Sequence, residues 1–246
     1  MAAKRSSLES LRFNGAGIFN SPSLLTIIQT RGFIPLTTLY LKLDSRNSRP
    51  INAGWPAFKV FLSSCTNLQE LILEGNDFSL PDDARPENVI HIESLRSLAL
   101  RWSRRFHSGR LASFVRCIET PALTYLELVD AIGRALNIFA LRSNPTTFVL
   151  LHTLRVTGCR SGREPLADNF YQLFSSVREL QLAKSDGHYF LPAARLHREG
   201  APLVLPHAPL WPTLEVLSYD GSDFNWLRDV VRSRSSLGSQ LQTVRI

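Results

Sequence analysis

The sequence of 246 residues predicts an α/β solenoid, in which short parallel strands alternate with helices along a curved arc. Three observations predict it: a recurring spacing of apolar residues, a nearly constant step between its copies, and helical apolar faces in the connecting segments. The spacing is clearest in the stretch from Cys65 to Phe78, CTNLQELILEGNDF. Its leucines at 68, 71 and 73 are followed by Asn76. Neither a continuous helical stripe nor an evenly alternating strand has this pattern.

We call these three apolar residues anchors. The same set of three anchors, separated by gaps of three and two residues, occurs in nine copies along the chain. The steps between first anchors are 28, 32, 27, 28, 28, 26, 37 and 27 residues. Because a nearly fixed step is the signature of stacked units, we predict parallel strands beginning near residues 10, 38, 70, 97, 125, 153, 179, 216 and 243. The first anchors are Leu8, Leu36, Leu68, Leu95, Leu123, Leu151, Val177, Leu214 and Leu241.

A small residue follows the third anchor by three positions in eight of the copies. We expect its side chain to point inward, where it can satisfy backbone groups as the chain leaves the strand. These residues are Ala16, Asp44, Asn76, Ser103, Ala131, Cys159, Ser185 and Ser222.

The segments between the strands carry apolar residues at helical spacing. The first segment also begins with Ser21 and Pro22 and ends at Gly32, which are start and stop signals of a helix. Because a helix is wider than a strand, stacking should place the helices on the convex side of the arc. The predicted faces are Leu24, Leu25, Ile27 and Ile28; Phe58, Phe61, Leu62 and Cys65; Leu111, Phe114, Val115 and Ile118; Leu166, Phe170, Leu173 and Phe174; and Leu227, Val230 and Val231.

Two connecting segments depart from the regular length. The step of 32 residues contains a polar stretch at 44–55, and the step of 37 contains a stretch at 185–212 that is rich in proline and glycine. We predict a loop insertion at 185–212, with a short helix around Ala193 to His197. Insertions of this kind often lie on a binding face, and a tolerated loop without function is the alternative.

The anchor pattern resembles the leucine-rich repeat family, which LQELILEGN and LHTLRVTGC match best. The resemblance covers essentially the whole chain. It implies a single domain over residues 1–246 with about nine repeats, parallel strands on the concave face and helices on the convex face. Because this scaffold serves many unrelated tasks, it predicts the fold more strongly than the function.

The irregular repeat lengths and strand–helix units look more specifically like the repeat region of fungal-type F-box proteins. That resemblance implies a non-enzymatic domain that holds a protein substrate for a cullin ubiquitin ligase. The family's N-terminal F-box binds the ligase adaptor, but the first anchor here is already Leu8. We therefore expect a fragment of such a protein or a free-standing interaction module, with the adaptor as a partner only if an F-box is supplied elsewhere.

The composition leaves a second function open. The net charge is +7 with 28 lysines and arginines, which suits a nucleic-acid-associated protein or, alternatively, a mixed-charge surface. The three cysteines, Cys65, Cys117 and Cys159, lie far apart, and we expect buried thiols in a reducing compartment, either cytoplasm or nucleus. Neither a signal peptide nor a membrane span is predicted.

No motif predicts an enzyme or a cofactor site. The sequence has no Gly-x-Ser-x-Gly, Gly-x-x-x-x-Gly-Lys or His-Glu-x-x-His motif. His188, His197 and His207 have spacings of 9 and 10 residues, which match no common metal site. The densest basic stretch, Arg101 to Arg110, is either an acid-binding or phosphate-binding segment or a solvated loop.

The positions between and after the anchors are predicted to face the concave surface, because side chains alternate along a strand. They mix aromatic, arginine and acidic residues, which dominate protein recognition. Binding energy concentrates at the centre of an interface. We therefore predict that a protein partner contacts residues from three consecutive repeats: Arg101, Trp102, Tyr125, Glu127 and Arg155.

Overall fold

The computed structural model describes residues 9–14, 36–43, 54–75, 88–101, 114–131, 133–143, 148–158, 166–183, 190–191, 211–236 and 238–246. These residues form a mixed α/β structure. The strands are β1 (Ser10–Asn14), β2 (Thr38–Leu43), β3 (Glu70–Gly75), β4 (Ile90–His91), β5 (Ser97–Arg101), β6 (Ile118–Glu119), β7 (Tyr125–Val129), β8 (Thr153–Thr157), β9 (Glu179–Ala183), β10 (Val216–Asp220) and β11 (Thr243–Arg245). The helices are α1 (Gly54–Ser64), α2 (Gly133–Arg142), α3 (Asp168–Leu173) and α4 (Phe224–Ser236).

Nine of the strands form one parallel sheet with the order β1-β2-β3-β5-β7-β8-β9-β10-β11. The sheet therefore follows the chain order, and all nine predicted strand starts are confirmed. The remaining strands, β4 and β6, pair with each other in a separate parallel ladder that the anchor pattern did not predict.

One hydrogen-bond arrangement sets the register at every junction of the sheet. The carbonyl of Thr37, for example, accepts hydrogen bonds from the N–H groups of Gln69 and Glu70 at 2.8 and 2.9 Å. The same arrangement joins all eight pairs of neighbouring strands, at distances of 2.8–3.2 Å. The accepting carbonyls belong to Glu9, Thr37, Gln69, Arg96, Thr124, His152, Arg178 and Glu215.

The anchors form the core, as predicted. All three anchors are buried in the second to eighth copies, including Leu71 at 0% and Leu126 at 1% exposure. The terminal copies are less covered, since Leu11 and Leu241 are only partly buried and Ile246 is 78% exposed. The sheet thus buries a continuous ladder of apolar side chains that crosses from one repeat to the next.

A fourth buried position precedes the first anchor by three residues, and the sequence pattern did not reveal it. Its carbonyl accepts a hydrogen bond from the N–H of the first anchor, as between Leu68 and Cys65 at 3.0 Å. This bond closes a tight turn that leads six of the described strands into the sheet. Among the described residues, the six that accept this bond are Cys65, Ile92, Thr120, Phe148, Phe174 and Trp211, and all six are buried, whereas Gly238 at the equivalent place before Leu241 is exposed.

The helix predictions are confirmed in part. Phe58, Phe61 and Leu62 are buried in α1, and α3 and its flanks bury the predicted face of Leu166, Phe170, Leu173 and Phe174. The predicted helix over 21–32 and Leu111 lie outside the described residues.

Two predictions about the connecting segments are wrong, and one helix was missed. Ile118 belongs to β6 rather than to a helical face, because the helical turn at 114–116 has already ended. Val231 is 37% exposed, because α4 packs through Trp226, Leu227 and Val230 instead. The helix α2, which buries Leu136 and Phe139, was not predicted.

Among the small residues expected to point inward, Ala131 is buried but Ser222 is exposed, so that expectation is wrong for Ser222. The chain turns almost at once from β10 into α4, where the Asp223 carboxylate accepts a hydrogen bond from the Trp226 N–H at 2.9 Å. This cap leaves Ser222 on the outside of the turn. The other six residues of this set lie outside the described part of the chain.

The stretch at 185–212 contributes to the core at three of its four described positions. Phe190, Leu191 and Trp211 are buried. The Tyr171 hydroxyl donates to the Phe190 carbonyl at 3.2 Å, and the Trp226 indole N–H donates to the Leu191 carbonyl at 3.0 Å. The predicted short helix around Ala193 to His197 lies outside the described residues.

Arg234 connects the end of α4 to the last part of the core. The side chain is buried, and Nη2 donates to the carbonyls of Trp211 and Leu214 at 3.1 and 3.2 Å and to Ser239 Oγ at 3.1 Å. Burial lowers the pKa of this guanidinium.

Among the described residues, no helix is long and apolar enough for a bilayer span.

We expect Leu126→Ala to lower the free energy of unfolding by about 2–5 kcal/mol, because it removes buried surface and leaves a cavity. Urea denaturation measures this change, and Leu150→Ala is the control because Leu150 is 51% exposed. A loss below about 1 kcal/mol for Leu126→Ala would place this anchor outside a packed core.

We expect Arg234→Met to lower the free energy of unfolding by about 1–3 kcal/mol, because buried carbonyls lose a hydrogen-bond donor. The exposed Arg232 on the same helix provides the control, Arg232→Met, in the same urea titration. Equal stabilities for the two variants would contradict a structural role for Arg234.

Candidate functional site

The shared register places side chains from different repeats in three rows on one face of the nine-stranded sheet. We call these rows the exposed sheet face, although Ala99 and Glu127 within it are buried. The first row is Ser10, Thr38, Glu70, Ser97, Tyr125, Thr153, Glu179, Val216 and Thr243. The middle row is Arg12, Tyr40, Ile72, Ala99, Glu127, Arg155, Gln181, Ser218 and Arg245. The third row contains Lys42, Glu74, Arg101, Val129 and Thr157, with Ala183 and Asp220 further along.

Four of the five predicted partner-binding residues meet at the centre of this face. Glu127 on β7 lies between two guanidinium groups, with Oε2 3.3 Å from Arg101 Nη2 and Oε1 4.0 Å from Arg155 Nε. Tyr125 lies two residues before Glu127 on the same strand and the same face. The structure therefore brings Arg101, Tyr125, Glu127 and Arg155 together, and the predicted Trp102 lies outside the described residues.

The central cluster keeps its phenol neutral and its arginines oriented. Burial raises the pKa of Tyr125, and the nearby Glu127 carboxylate raises it further, while Arg155 and Arg101 act in the opposite direction. The Tyr125 hydroxyl is therefore a neutral hydrogen-bonding group at physiological pH. The Glu127 side chain is only 11% exposed. The two arginines that it contacts on the neighbouring strands are 38% and 49% exposed.

A second cluster on β1, β2 and β3 was present in the predicted rows but was not selected from the sequence. The Arg12 guanidinium lies 4.2 Å from the centre of the Tyr40 ring, and the Tyr40 hydroxyl donates to Glu74 Oε2. Lys42 Nζ lies 2.6 Å from Glu74 Oε1. The hydrogen bond from Lys42 and then that from Tyr40 hold the pKa of Glu74 below its ordinary value. The cluster could have been found by aligning the tyrosine, lysine and glutamate positions of adjacent repeats.

A third cluster occupies the last three strands of the sheet. Arg245 Nη1 lies 2.7 Å from Glu179 Oε1, which also accepts a hydrogen bond from Gln181 Nε2 at 3.1 Å. Next to it is a cleft of about 250 Å³ whose lining includes Arg155, Gln181, Ser218 and Arg245. We call this cleft the Arg155–Arg245 trough.

In each ion pair on this face, the base is more exposed than the acid. The side-chain exposures are 40% and 29% for Lys42 and Glu74, 38% and 11% for Arg101 and Glu127, and 59% and 24% for Arg245 and Glu179. At these ion pairs, a ligand approaching the face would therefore meet the cationic group first, with the carboxylate set behind it.

The described residues contain no group of three or more potential metal ligands.

Cys65 and Cys117 are buried, as predicted, and Cys159 lies outside the described residues. Burial raises the pKa of the Cys65 thiol to about 11, and its Sγ donates to the Phe61 carbonyl at 3.3 Å. This thiol is protonated at neutral pH, which makes it a poor nucleophile.

Comparisons with known proteins assign no family. No protein-family model matches the sequence, and no curated protein matches it. The chemistry of the exposed sheet face is therefore the basis for proposing a function.

The lowered pKa of Glu74 makes its contribution to stability depend on pH. The charged carboxylate stabilises the folded state above the ordinary pKa of 4.5, and this contribution is lost as the pH falls through the lower folded pKa. We expect the difference in unfolding free energy between the wild type and Glu74→Gln to be larger at neutral pH than in acid. Urea titrations at both pH values measure it, with Glu93→Gln as an exposed control. A difference that stays constant with pH would contradict the ion-paired state of Glu74.

Proposed function

We propose that the chain is a non-enzymatic protein-interaction domain that binds a protein ligand on the exposed sheet face. The observation that carries the proposal is the central cluster, where a phenol and two arginines from three neighbouring strands surround one recessed glutamate. Tyrosine and arginine are enriched among residues that dominate binding energy. Their orientation by Glu127 lowers the conformational entropy that binding would cost.

The proposed architecture is one leucine-rich repeat domain over residues 1–246, curved so that this face is concave and the helices are convex. The chain-order sheet and the eight identical junctions support it. Neighbouring strands are about 4.8 Å apart, so an extended ligand could contact side chains of several repeats at once.

The specific role we propose is substrate recognition for a cullin ubiquitin ligase, as in the repeat region of F-box proteins. The adaptor would bind an F-box supplied elsewhere, and this chain would hold the client protein. The buried thiols of Cys65 and Cys117 support an intracellular setting, in cytoplasm or nucleus.

Nucleic-acid binding is a second candidate, favoured by the net charge of +7 and by the exposed bases of the ion pairs. The two functions differ in salt dependence, because contacts to phosphates release counterions and weaken steeply as salt rises. Titrations of RNA and DNA at several salt concentrations distinguish them.

The test is affinity capture from a cell extract, followed by identification of the bound proteins and measurement of their affinity. We expect one recurrent client, together with cullin-ligase subunits where an F-box is supplied. Tyr125→Ala or Arg155→Ala should each weaken client binding by about 1–4 kcal/mol while leaving the melting temperature nearly unchanged.

The control is Arg116→Ala, which removes an arginine located outside the three rows. If this variant abolished client binding and the two variants of the central cluster did not, the ligand would bind a different surface.

A further inference from the structure

The Arg155–Arg245 trough has walls of arginine and a floor of shorter side chains. Arg155, Gln181, Ser218 and Arg245 occupy the same register position on β8, β9, β10 and β11. With strands about 4.8 Å apart, the two arginine Cα atoms are about 14 Å from each other. Between them, Gln181 and Ser218 leave the cleft of about 250 Å³, which is large enough for one side chain.

Hydrogen-bond donors dominate the polar lining of the trough. Arg155 and Arg245 contribute guanidinium groups, Gln181 an amide, and Ser218 a hydroxyl. Asp220, which is exposed, is the one acidic side chain among its described lining residues. This arrangement favours an anionic group over a cationic or neutral one.

The two arginines are held in place and still accessible. Arg155 approaches Glu127 through Nε, and Arg245 contacts Glu179 through Nη1. A guanidinium has five N–H donors, so each retains donors beyond its ion pair. Their side chains are 49% and 59% exposed, whereas those of Glu127 and Glu179 are 11% and 24% exposed.

We propose that the trough is a subsite that receives one anionic side chain, a carboxylate or a phosphoester, of an extended peptide segment. The proposal rests on the proposed function, since it names the chemistry of the ligand that the exposed sheet face would bind. A carboxylate or phosphate accepts paired hydrogen bonds from guanidinium groups in a geometry that a neutral amide cannot reproduce.

The charge of the whole face favours a peptide over a nucleic acid. Bases and acids are equal in number on the described rows, so the face has no net formal charge, and its acids would repel a continuous polyanion. A single anionic side chain needs only the trough. The bases are Arg12, Lys42, Arg101, Arg155 and Arg245, and the acids are Glu70, Glu74, Glu127, Glu179 and Asp220.

The test begins with selection of a randomised peptide library on the whole chain. We expect enrichment of an aspartate or glutamate at one position. The selected peptide is then synthesised with glutamate, phosphoserine or glutamine there, and binding is measured by fluorescence polarisation. The glutamine peptide should bind wild-type protein about ten- to a hundredfold more weakly, as expected for loss of a hydrogen bond to a charged group. A preference between the glutamate and phosphoserine peptides identifies the carboxylate or the phosphoester as the natural group.

The protein arm uses Arg155→Gln and Arg245→Gln, with Arg232→Gln on α4 as a control that removes the same charge elsewhere. We expect the first two variants to bind the acidic peptide more weakly than wild-type protein does, but to bind the glutamine peptide with unchanged affinity. Such coupling between the two substitutions is what direct contact produces. Arg232→Gln should change neither. The peptide arm needs only wild-type protein and therefore does not depend on the folding of any variant.

Selected peptides that require Tyr125 but show no acid preference would overturn the subsite and leave the proposed function intact. If Arg232→Gln reduced acid-dependent binding as much as Arg155→Gln and Arg245→Gln do, the effect would come from the overall charge of the protein, and the subsite proposal would be overturned. If a single-stranded oligonucleotide bound more tightly than any peptide and its binding were lost in Arg155→Gln, the occupant of the trough would be a nucleic acid. Failure to enrich any peptide would also count against the subsite, while the capture experiment tests the proposed function separately.

Discussion

The carbonyl that accepts two consecutive N–H groups at each strand entrance is the constraint on which this structure depends. The same pair of hydrogen bonds occurs at all eight junctions of the nine-stranded sheet. It aligns equivalent residues of successive repeats, so that the apolar anchors stack on one another inside and the three rows of outward-facing side chains align outside. A slip by one residue would exchange the two faces of a strand, and the buried anchors strongly oppose such a slip.

The same register creates the chemistry of the exposed sheet face. Glu127 meets Arg101 and Arg155 because the three residues lie on adjacent strands of one sheet. Glu74 meets Lys42 and Tyr40 for the same reason. In these clusters the acids lie behind the bases, so the ion pairs both orient the cations and leave them accessible. A surface with little net charge can in this way expose more of its cationic groups than of its carboxylates to a ligand.

The core adapts to unequal repeat lengths through its aromatic residues. Phe170 packs edge-on against Phe174, which precedes the longest step between anchors, and against Phe190 and Trp211, which lie within that step. Large rings bury much surface each, so a few of them can fill the space that a regular helix would otherwise occupy. Arg234 then satisfies the carbonyls of Trp211 and Leu214 where this aromatic region meets α4. The strand spacing stays constant while the connecting segments vary.

The anchor spacing in the sequence was sufficient to place the nine strands and the three rows, because both follow from periods of a few residues within one repeat. The shared buried position three residues before six of the first anchors was missed as a pattern, since it is occupied by residues as different as Cys65, Thr120 and Trp211 and has no constant letter. The β4–β6 ladder and the hydrogen bonds of Arg234 were missed as well. The partners of the ionised groups were decided only by the tertiary structure, because Glu179 and Arg245 are 66 residues apart and become neighbours only when the repeats stack in register. Local spacing determines which side chains face outward, whereas the pairing between distant repeats determines which of them touch.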